Sequence, residues 1–107
     1  AVRFGNMLFV SGVGAVDPAT GDVVDGDITA QTRLALDNLM SVLAAAGATT
    51  KNIVNVRVTL RDVADFPRFN ETFREYLAGE KVTRTCIGAI PNRAGINVQI
   101  DCIAMFD

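Results

Sequence analysis

The segment Val82-Thr83-Arg84-Thr85-Cys86-Ile87-Gly88-Ala89-Ile90 places a single cation among small and apolar residues. β-Branched residues dominate the segment, and Gly79 and Pro91 bracket it, which predicts a β-strand. Because side chains alternate along a strand, Arg84 and Cys86 share one of its faces. Whether this face of the strand contacts the protein core, solvent or a ligand affects both the predicted fold and the predicted function.

The guanidinium of Arg84 can serve two purposes. Arg keeps its charge at every physiological pH, and its planar group matches a carboxylate through two parallel hydrogen bonds. Arg84 could therefore hold an anionic ligand. Alternatively, it is an edge-strand residue whose side chain extends to water or pairs with a surface Asp. The segment by itself leaves both interpretations open.

Length and composition indicate a single domain over residues 1–107. Half of the 107 residues are apolar, which is enough for one compact core. No apolar run reaches the roughly 18 residues of a membrane span, and no signal peptide is visible, so we expect a cytoplasmic protein. The chain does not begin with Met and starts close to strand-like sequence. We therefore expect an incomplete or processed amino terminus.

Charge and residue content exclude several classes of function. The net charge is −2, and Lys and Arg are scattered singly, so we expect no nucleic-acid partner. The absence of His excludes Ser-His-Asp catalysis, Cys-His catalysis and His-based metal sites. Cys86 and Cys102 cannot form a zinc site alone, and we predict that both are free thiols. Gly12-Val13-Gly14 lacks the third glycine and the helix of a phosphate loop. We therefore expect no metal and no cofactor.

Hydrophobic periodicity along the chain predicts the order β-β-α-β-α-β-β. The first helix has Asp27 as its N-cap and Gly47 just beyond its end. The second has Asp62 or Asp65 as its cap and Pro67 in its first turn. Both helices can cover one face of the sheet, as in a two-layer α+β domain. The predicted strands are 2–4, 7–11, 53–60, 82–90 and 96–105, and the helices are 28–46 and a segment that contains 66–77.

Two expectations concern the faces of this sheet. Residues 53–60 alternate, so that one side carries Val54, Val56, Val58 and Leu60 and should meet a helix, while the other side is polar. Pro91–Gly95 is predicted to be a hairpin loop that joins the Arg84 strand to the last strand. That hairpin would bring a polar row that includes Gln99 and Asp101 near the guanidinium. The face without helices is partly apolar and too large to leave exposed, which predicts an oligomer.

From end to end, the chain resembles the Rid family (reactive intermediate deaminases, also called YjgF-type proteins). No single motif decides this, but the ordered set is specific. The set comprises Gly5-Asn6-Met7-Leu8-Phe9-Val10-Ser11-Gly12, Asp17-Pro18 through Thr20-Gly21, Asp27-Ile28, Gln31-Thr32-Arg33, Leu36 with Asn38-Leu39, Ala45-Ala46-Gly47-Ala48, Asp65-Phe66 with Asn70, Thr83-Arg84-Thr85-Cys86 and Ile100-Asp101-Cys102-Ile103-Ala104.

The resemblance implies a chorismate-mutase-like α+β fold and a homotrimer. In such a trimer the sheets pack around the threefold axis, and three clefts lie between subunits. The implied activity is hydrolysis of enamine and imine intermediates, such as 2-aminoacrylate, to 2-keto acids and ammonia. These intermediates escape from pyridoxal-phosphate enzymes, and their hydrolysis needs no cofactor.

The resemblance also assigns site residues. Arg84 occupies the place of the Arg that holds the substrate carboxylate, and Gly12 that of the Gly whose backbone contacts the ligand. Asn70 and Cys86 fall on further substrate-binding positions. Gln99 stands where the family has an acidic residue that positions or activates water, and a Gln can orient a water but cannot take its proton.

Two other departures are visible. Val13 stands where the family often has Gln, and a family Tyr lies before residue 1. The only tyrosine of this chain, Tyr76, is on a helix.

The mechanism expected from these residues is simple. Arg84 fixes the carboxylate, while Gly12 and Gln99 place a water against the imine carbon as the second part of the catalytic set. Cys86 forms a wall of the cleft, since no neighbouring His or Lys would make it a thiolate. One alternative is a regulatory module that binds small carboxylates without turnover, which the Gln99 substitution favours. Another is an endoribonuclease or translation inhibitor, which the acidic composition disfavours.

Overall fold

A mixed sheet of five strands forms one layer of the protein, and the computed structural model describes all residues from Ala1 to Asp107. The spatial order is β1-β2-β5-β3-β4. β3 and β4 are parallel, and every other neighbouring pair is antiparallel. The strands are β1 (Val2–Phe4), β2 (Met7–Val13), β3 (Ile53–Leu60), β4 (Thr83–Gly88) and β5 (Val98–Met105).

Two helices, α1 (Ile28–Ala45) and α2 (Phe66–Leu77), cover one face of this sheet, as predicted. The Asp27 carboxylate accepts a hydrogen bond from the Ala30 amide at 2.8 Å, which confirms the predicted cap of α1. Gly47 has φ +81°, the left-handed conformation expected just beyond a helix end. α2 follows a 3-10 turn at Val63–Asp65, which Asp62 caps, and Pro67 lies in its first turn.

The hydrophobic core lies between the helices and the sheet. Leu36, Leu39 and Leu43 of α1 are fully buried, as is Phe69 of α2. Each side chain of this size contributes about 2 kcal/mol by leaving water. The alternation predicted for the last strand is confirmed, because Val98, Ile100, Cys102 and Ala104 are buried against the helices. Neither helix combines the length and the apolarity that crossing a bilayer requires.

The predicted orientation of Val54 is wrong. The pairing of β3 with β5 shifts between Ile53 and Asn55, so one extra residue interrupts the alternation there. Ile53 is buried instead, and Val54 is 41% exposed. From Asn55 onward the strand alternates as expected, with Val56, Val58 and Leu60 in the core.

The predicted hairpin between the Arg84 strand and the last strand is also wrong. β3 lies between them, and β4 forms the edge of the sheet. The reason is that α2 acts as a crossover, which returns the chain to pair parallel with β3 on its free side. The other side of β3 is then available to β5. Alternation fixes the face of a side chain but does not specify the neighbouring strand.

Candidate active site

Arg84 lies on the helix-covered face of the sheet. In the parallel pairing, Arg84 is level with Val56 and Cys86 is level with Val58. Both valines are buried, so the side chains of Arg84 and Cys86 point to the same side, beneath α2. Because β4 is the edge strand, both residues remain only partly buried. The cation therefore sits at the boundary between the core and solvent.

The guanidinium is held by one amide and three aromatic rings of α2. Arg84 Nη1 donates to Asn70 Oδ1 at 2.7 Å. The guanidinium carbon lies 4.8 Å from the ring centre of Phe73, 5.3 Å from that of Phe66 and 5.9 Å from that of Phe69. Such ring faces attract a cation, more strongly where water is excluded. We call Arg84, Asn70, Cys86 and the three phenylalanines the Arg84 cluster.

No carboxylate neutralises Arg84. The ion pairs of the chain are Arg33–Glu75, Arg57–Asp101 and Arg68–Asp27. A guanidinium has five N–H donors, and Asn70 engages one nitrogen. A partly buried cation without an acidic partner, with free donors in a planar fork, is suited to a carboxylate from outside the chain.

Cys86 is a neutral wall of this cluster. Burial raises the pKa of the Cys86 thiol, and the nearby Arg84 charge opposes this with a smaller effect. Burial, aided by the charge of Asp101, raises the pKa of Cys102 to about 11. Both cysteines are free, as predicted. No cluster of three or more His, Cys, Asp or Glu side chains is arranged to hold a metal ion.

Gly12 and Gln99 meet at a β-bulge. Val10 pairs with Cys102 and Val13 with Ile100, so β2 contains one residue more than β5 across this interval. A Cβ atom on Gly12 would overlap Nε2 of Gln99 and lie 2.9 Å from its Cδ. Only glycine therefore leaves the Gln99 amide room to lie across the backbone of β2.

This contact opens into a pocket of about 650 Å³ on the face of the sheet without helices. Gln99, Gly12 and Ser11 line it together with Arg57 and Asp101. Asp101 Oδ1 accepts from Arg57 Nε at 2.9 Å, so the carboxylate nearest Gln99 in sequence is already paired. Phe4 and Ile87, which are 77% and 55% exposed, add apolar surface to the same face. We call it the open face.

The structure thus brings the site residues together in two groups. Arg84, Asn70 and Cys86 lie under α2, and Gly12 and Gln99 lie on the open face. The expected row of polar groups beside the guanidinium is wrong for a single chain. Gln99 is level with Thr59, on the opposite face of the sheet from Arg84. β4 and β5 are also two strand spacings apart, about 10 Å.

Sequence reasoning missed the aromatic surroundings of Arg84. Phe66, Phe69 and Phe73 form a stripe at three- and four-residue spacing, a pattern that by itself indicates only a helix face packed on the core. Asn70 beside that stripe was the available signal that α2 faces a polar partner. Tyr76 belongs to neither group, because its hydroxyl donates to Asp37 Oδ1 at 2.7 Å and thereby joins the two helices.

Known sequences similar to this chain cover nearly all of it. The model of the endoribonuclease L-PSP family matches residues 1–106. The mitochondrial protein mmf2 of Schizosaccharomyces pombe is 39% identical over 107 residues, which cover 97% of this chain and 83% of mmf2. The mouse 2-iminobutanoate/2-iminopropanoate deaminase is 34% identical over 107 residues, which cover 98% of this chain and 78% of the mouse protein.

Solved structures share the fold. RidA from the Antarctic bacterium Psychrobacter sp. PAMC 21119 has a TM-score of 0.91 and 28% identity, covering 98% of this chain and 85% of RidA. Escherichia coli TdcF with bound serine has a TM-score of 0.88 and 31% identity, covering 99% of this chain and 85% of TdcF. The chain therefore belongs to the endoribonuclease L-PSP family, the YjgF/Rid family that its sequence resembles.

Proposed function

We propose that this protein hydrolyses 2-enamine and 2-imino acids, such as 2-aminoacrylate, to 2-keto acids and ammonia. The observation that carries the proposal is Arg84, a partly buried guanidinium that has Asn70 and three rings around it and no carboxylate. The mouse relative named as an imine deaminase supports the reaction class. TdcF with bound serine supports a small ligand that has a carboxylate.

Arg84 is proposed to bind the substrate carboxylate through two parallel hydrogen bonds. Asn70 Oδ1 occupies Nη1 on one side, which fixes the plane of the guanidinium. The rings of Phe66 and Phe73 limit water around it and so strengthen the attraction to an anion. Fixing the carboxylate orients C2 of the imine and removes much of the entropic cost of the reaction.

We further propose a homotrimer in which each cleft lies between two subunits. Within one chain, the Arg84 cluster and the Gly12–Gln99 contact are on opposite faces of the sheet, so they cannot reach one small substrate. A neighbouring copy can supply the second group. The exposed apolar residues of the open face, Phe4 and Ile87 among them, favour burial of that face against other subunits.

The chemistry proposed for this cleft requires no strong base. A 2-enamine first gains a proton on C3 from solvent and becomes the protonated imine. The protonated imine is an electrophile, and Gly12 backbone groups and the Gln99 amide would hold a water against C2. The water oxygen bonds to C2, and its proton passes to the nitrogen by way of solvent. The C–N bond of the resulting carbinolamine then breaks, and its electron pair leaves with ammonia. The hydroxyl oxygen forms the C=O bond of the 2-keto acid and releases its proton to solvent. Asp101 does not serve as the base, because Arg57 pairs with it.

The experiment is release of ammonia and keto acid from enzymatically generated 2-aminoacrylate. Arg84→Ala should lose the acceleration, because it removes the cation that Asn70 holds and that is proposed to bind the carboxylate. Arg68→Ala is the matched control, since it removes an exposed Arg that pairs with Asp27. Equal rates for Arg84→Ala and the unaltered protein would contradict the proposal. Sedimentation of the same samples tests the trimer.

A carboxylate-binding module without turnover is the second candidate. Gln99 favours it, since an amide cannot accept the proton of a water, and the neighbouring Asp101 is paired. Binding of 2-oxobutanoate that requires Arg84, with no acceleration of 2-aminoacrylate hydrolysis, would establish this alternative in place of the enzyme.

The family description also names an endoribonuclease. The net charge of −2 gives this chain little attraction for a phosphate backbone. Gel retardation of RNA at moderate salt is the test, and strong binding would support that activity. For location we propose the cytoplasm, while the relative mmf2 is named as mitochondrial. Fractionation of cells that produce the protein distinguishes the two compartments.

A further inference from the structure

We propose that Gln31 and Asn38, two amide side chains of α1, are positioning residues that set the Gly12–Gln99 contact. The expected effect on turnover rests on the proposed function, whereas the placement of the Gly12–Gln99 contact is argued only from contacts within this chain. Neither amide touches the pocket. Each instead holds the backbone of one of the two segments that meet there.

Gln31 fixes the segment that leads into β5. Its side chain is almost fully buried, with 2% exposed. Nε2 donates to Gly95 O at 2.7 Å and to Val24 O at 3.2 Å, and Oε1 accepts from the Asn97 amide at 2.8 Å. The amide thus forms hydrogen bonds with one carbonyl and one N–H of the loop that immediately precedes β5, those of Gly95 and Asn97. Asn97 is two residues before Gln99, so its placement sets where the Gln99 side chain begins.

Asn38 fixes the segment that leaves β2. Its Nδ2 donates to Gly14 O at 3.0 Å and to Val16 O at 2.8 Å. Gly14 is two residues after Gly12 and immediately follows β2, whose bulge lies between Val10 and Val13. Gly14 also packs closely on the β5 side, where an added Cβ would lie 3.2 Å from Ile96 and 3.3 Å from Val98 O. The two held segments therefore touch each other directly.

The placement of the two amides on one helix makes them a unit. They are seven residues apart, about two turns, so they project from the same stripe of α1. A rigid helix therefore sets the spacing between the loop before Gln99 and the segment after Gly12. Thr32, beside Gln31, gives the contrast: it is fully buried, and its hydroxyl has no hydrogen-bond partner. Of these polar residues, only the two amides reach the loops.

The test compares Gln31→Met and Asn38→Ala with the control Thr32→Val in the full-length protein. Gln31→Met keeps the length of the side chain and removes its three hydrogen bonds. We expect the Gln99 side-chain amide resonances to shift in both amide variants and to stay unchanged in Thr32→Val. We also expect the Asn97 amide to exchange with solvent about tenfold faster in Gln31→Met, because it loses its acceptor.

The catalytic readout separates positioning from general damage. Misplacement of Gln99 or Gly12 by about 1 Å should lower kcat by tenfold to a hundredfold. The dissociation constant for 2-oxobutanoate should stay within about twofold, because Arg84 lies on the other face and sets that affinity. If the amides only stabilise the fold, the variants should have a lower melting temperature than the unaltered protein. The ratio of kcat to 2-oxobutanoate affinity should then stay unchanged.

Several outcomes would overturn the inference. One is a Gln99 amide whose resonances stay in place in both folded amide variants. Another is a parallel loss of kcat and 2-oxobutanoate affinity. If Gln31→Met fails to fold, Asn38→Ala decides the question, since Asn38 is only half-buried and its two carbonyl partners can turn to water. If the unaltered protein shows no turnover, the proposed function fails, and the resonances alone decide the inference.

Discussion

Replacement of Gly12 by Ala tests the packing between β2 and β5 at a single atom. The added Cβ would overlap Nε2 of Gln99 and lie 2.9 Å from Cδ and 3.0 Å from Cγ. Separations this short do not occur between unbonded carbon atoms in folded proteins, so one partner must move. Gly12 has no positive φ, which means that the backbone itself accepts Ala without strain.

The magnitude follows from which partner moves. The overlapping atoms belong to the end of a flexible side chain rather than to backbone, so Gln99 can rotate away. Overpacking of cores costs 1–3 kcal/mol, and a movable partner places this case at about 1 kcal/mol. For a domain of about 100 residues, this corresponds to a fall in melting temperature of about 4–8 °C. Turnover should fall by much more than the loss of stability accounts for, because Gln99 leaves the pocket.

A double-mutant cycle provides the assay. Gly12→Ala, Gln99→Ala and the double variant are each unfolded in urea, and their free energies of unfolding are compared. We expect the double variant to be more stable than the sum of the single effects predicts, by about 1 kcal/mol, because Gln99→Ala removes the overlapping atoms. A coupling energy near zero would refute the contact between Gly12 and Gln99 and the positioning argument built on it.

Three further predictions concern single side chains. Arg84→Lys keeps the charge but loses the planar fork, so 2-oxobutanoate affinity by calorimetry should fall about tenfold, against about a hundredfold for Arg84→Ala; equal losses would show that charge alone binds the ligand. Gln99→Glu restores a proton acceptor, so kcat should rise at pH 7 and fall as the pH approaches about 4; an unchanged kcat would mean that water activation does not limit the rate. The free energy of unfolding should fall between pH 9 and pH 11, because the buried Cys102 thiol keeps its proton up to a pKa of about 11 while the unfolded chain loses it from about pH 9. The loss due to Cys102 should be on the order of 2 kcal/mol, and Cys102→Ala should remove that part, leaving the smaller part due to Cys86, whose pKa burial also raises. An unchanged slope in Cys102→Ala would contradict the assignment to Cys102.

Local patterns predicted the elements of this protein well, because each depends on a few neighbouring residues. The Asp27 cap and the end of α1 before Gly47 needed only short-range hydrogen bonds and backbone preference. Strand partners depend instead on the path of the whole chain. The placement of β3 between β4 and β5 follows from the crossover through α2, which no pattern within residues 82–105 encodes.

The residues of the candidate site were found individually, but their arrangement was not. Arg84 stood out because it was the only cation in its strand, whereas Asn70 was assigned only through the resemblance to the Rid family. Arg84 and Asn70 are separated from Gln99 by the thickness of the sheet. This separation depends on the registers in which the strands pair, and alternation along a strand does not determine them. Val54 failed for a related reason, since a bulge changes the face of a residue without changing the sequence pattern.

The position of β5 has a consequence for how the protein is made. This last strand is the centre of the sheet, with β2 on one side and β3 on the other. While the ribosome is still synthesising residues 98–105, β1 with β2 and β3 with β4 have no strand to join them. Pairings so distant in sequence form slowly. Acquisition of the native sheet is therefore a step that follows synthesis of residues 98–105, and a chain that stalls before residue 98 exposes two unpaired strand edges to chaperones and proteases.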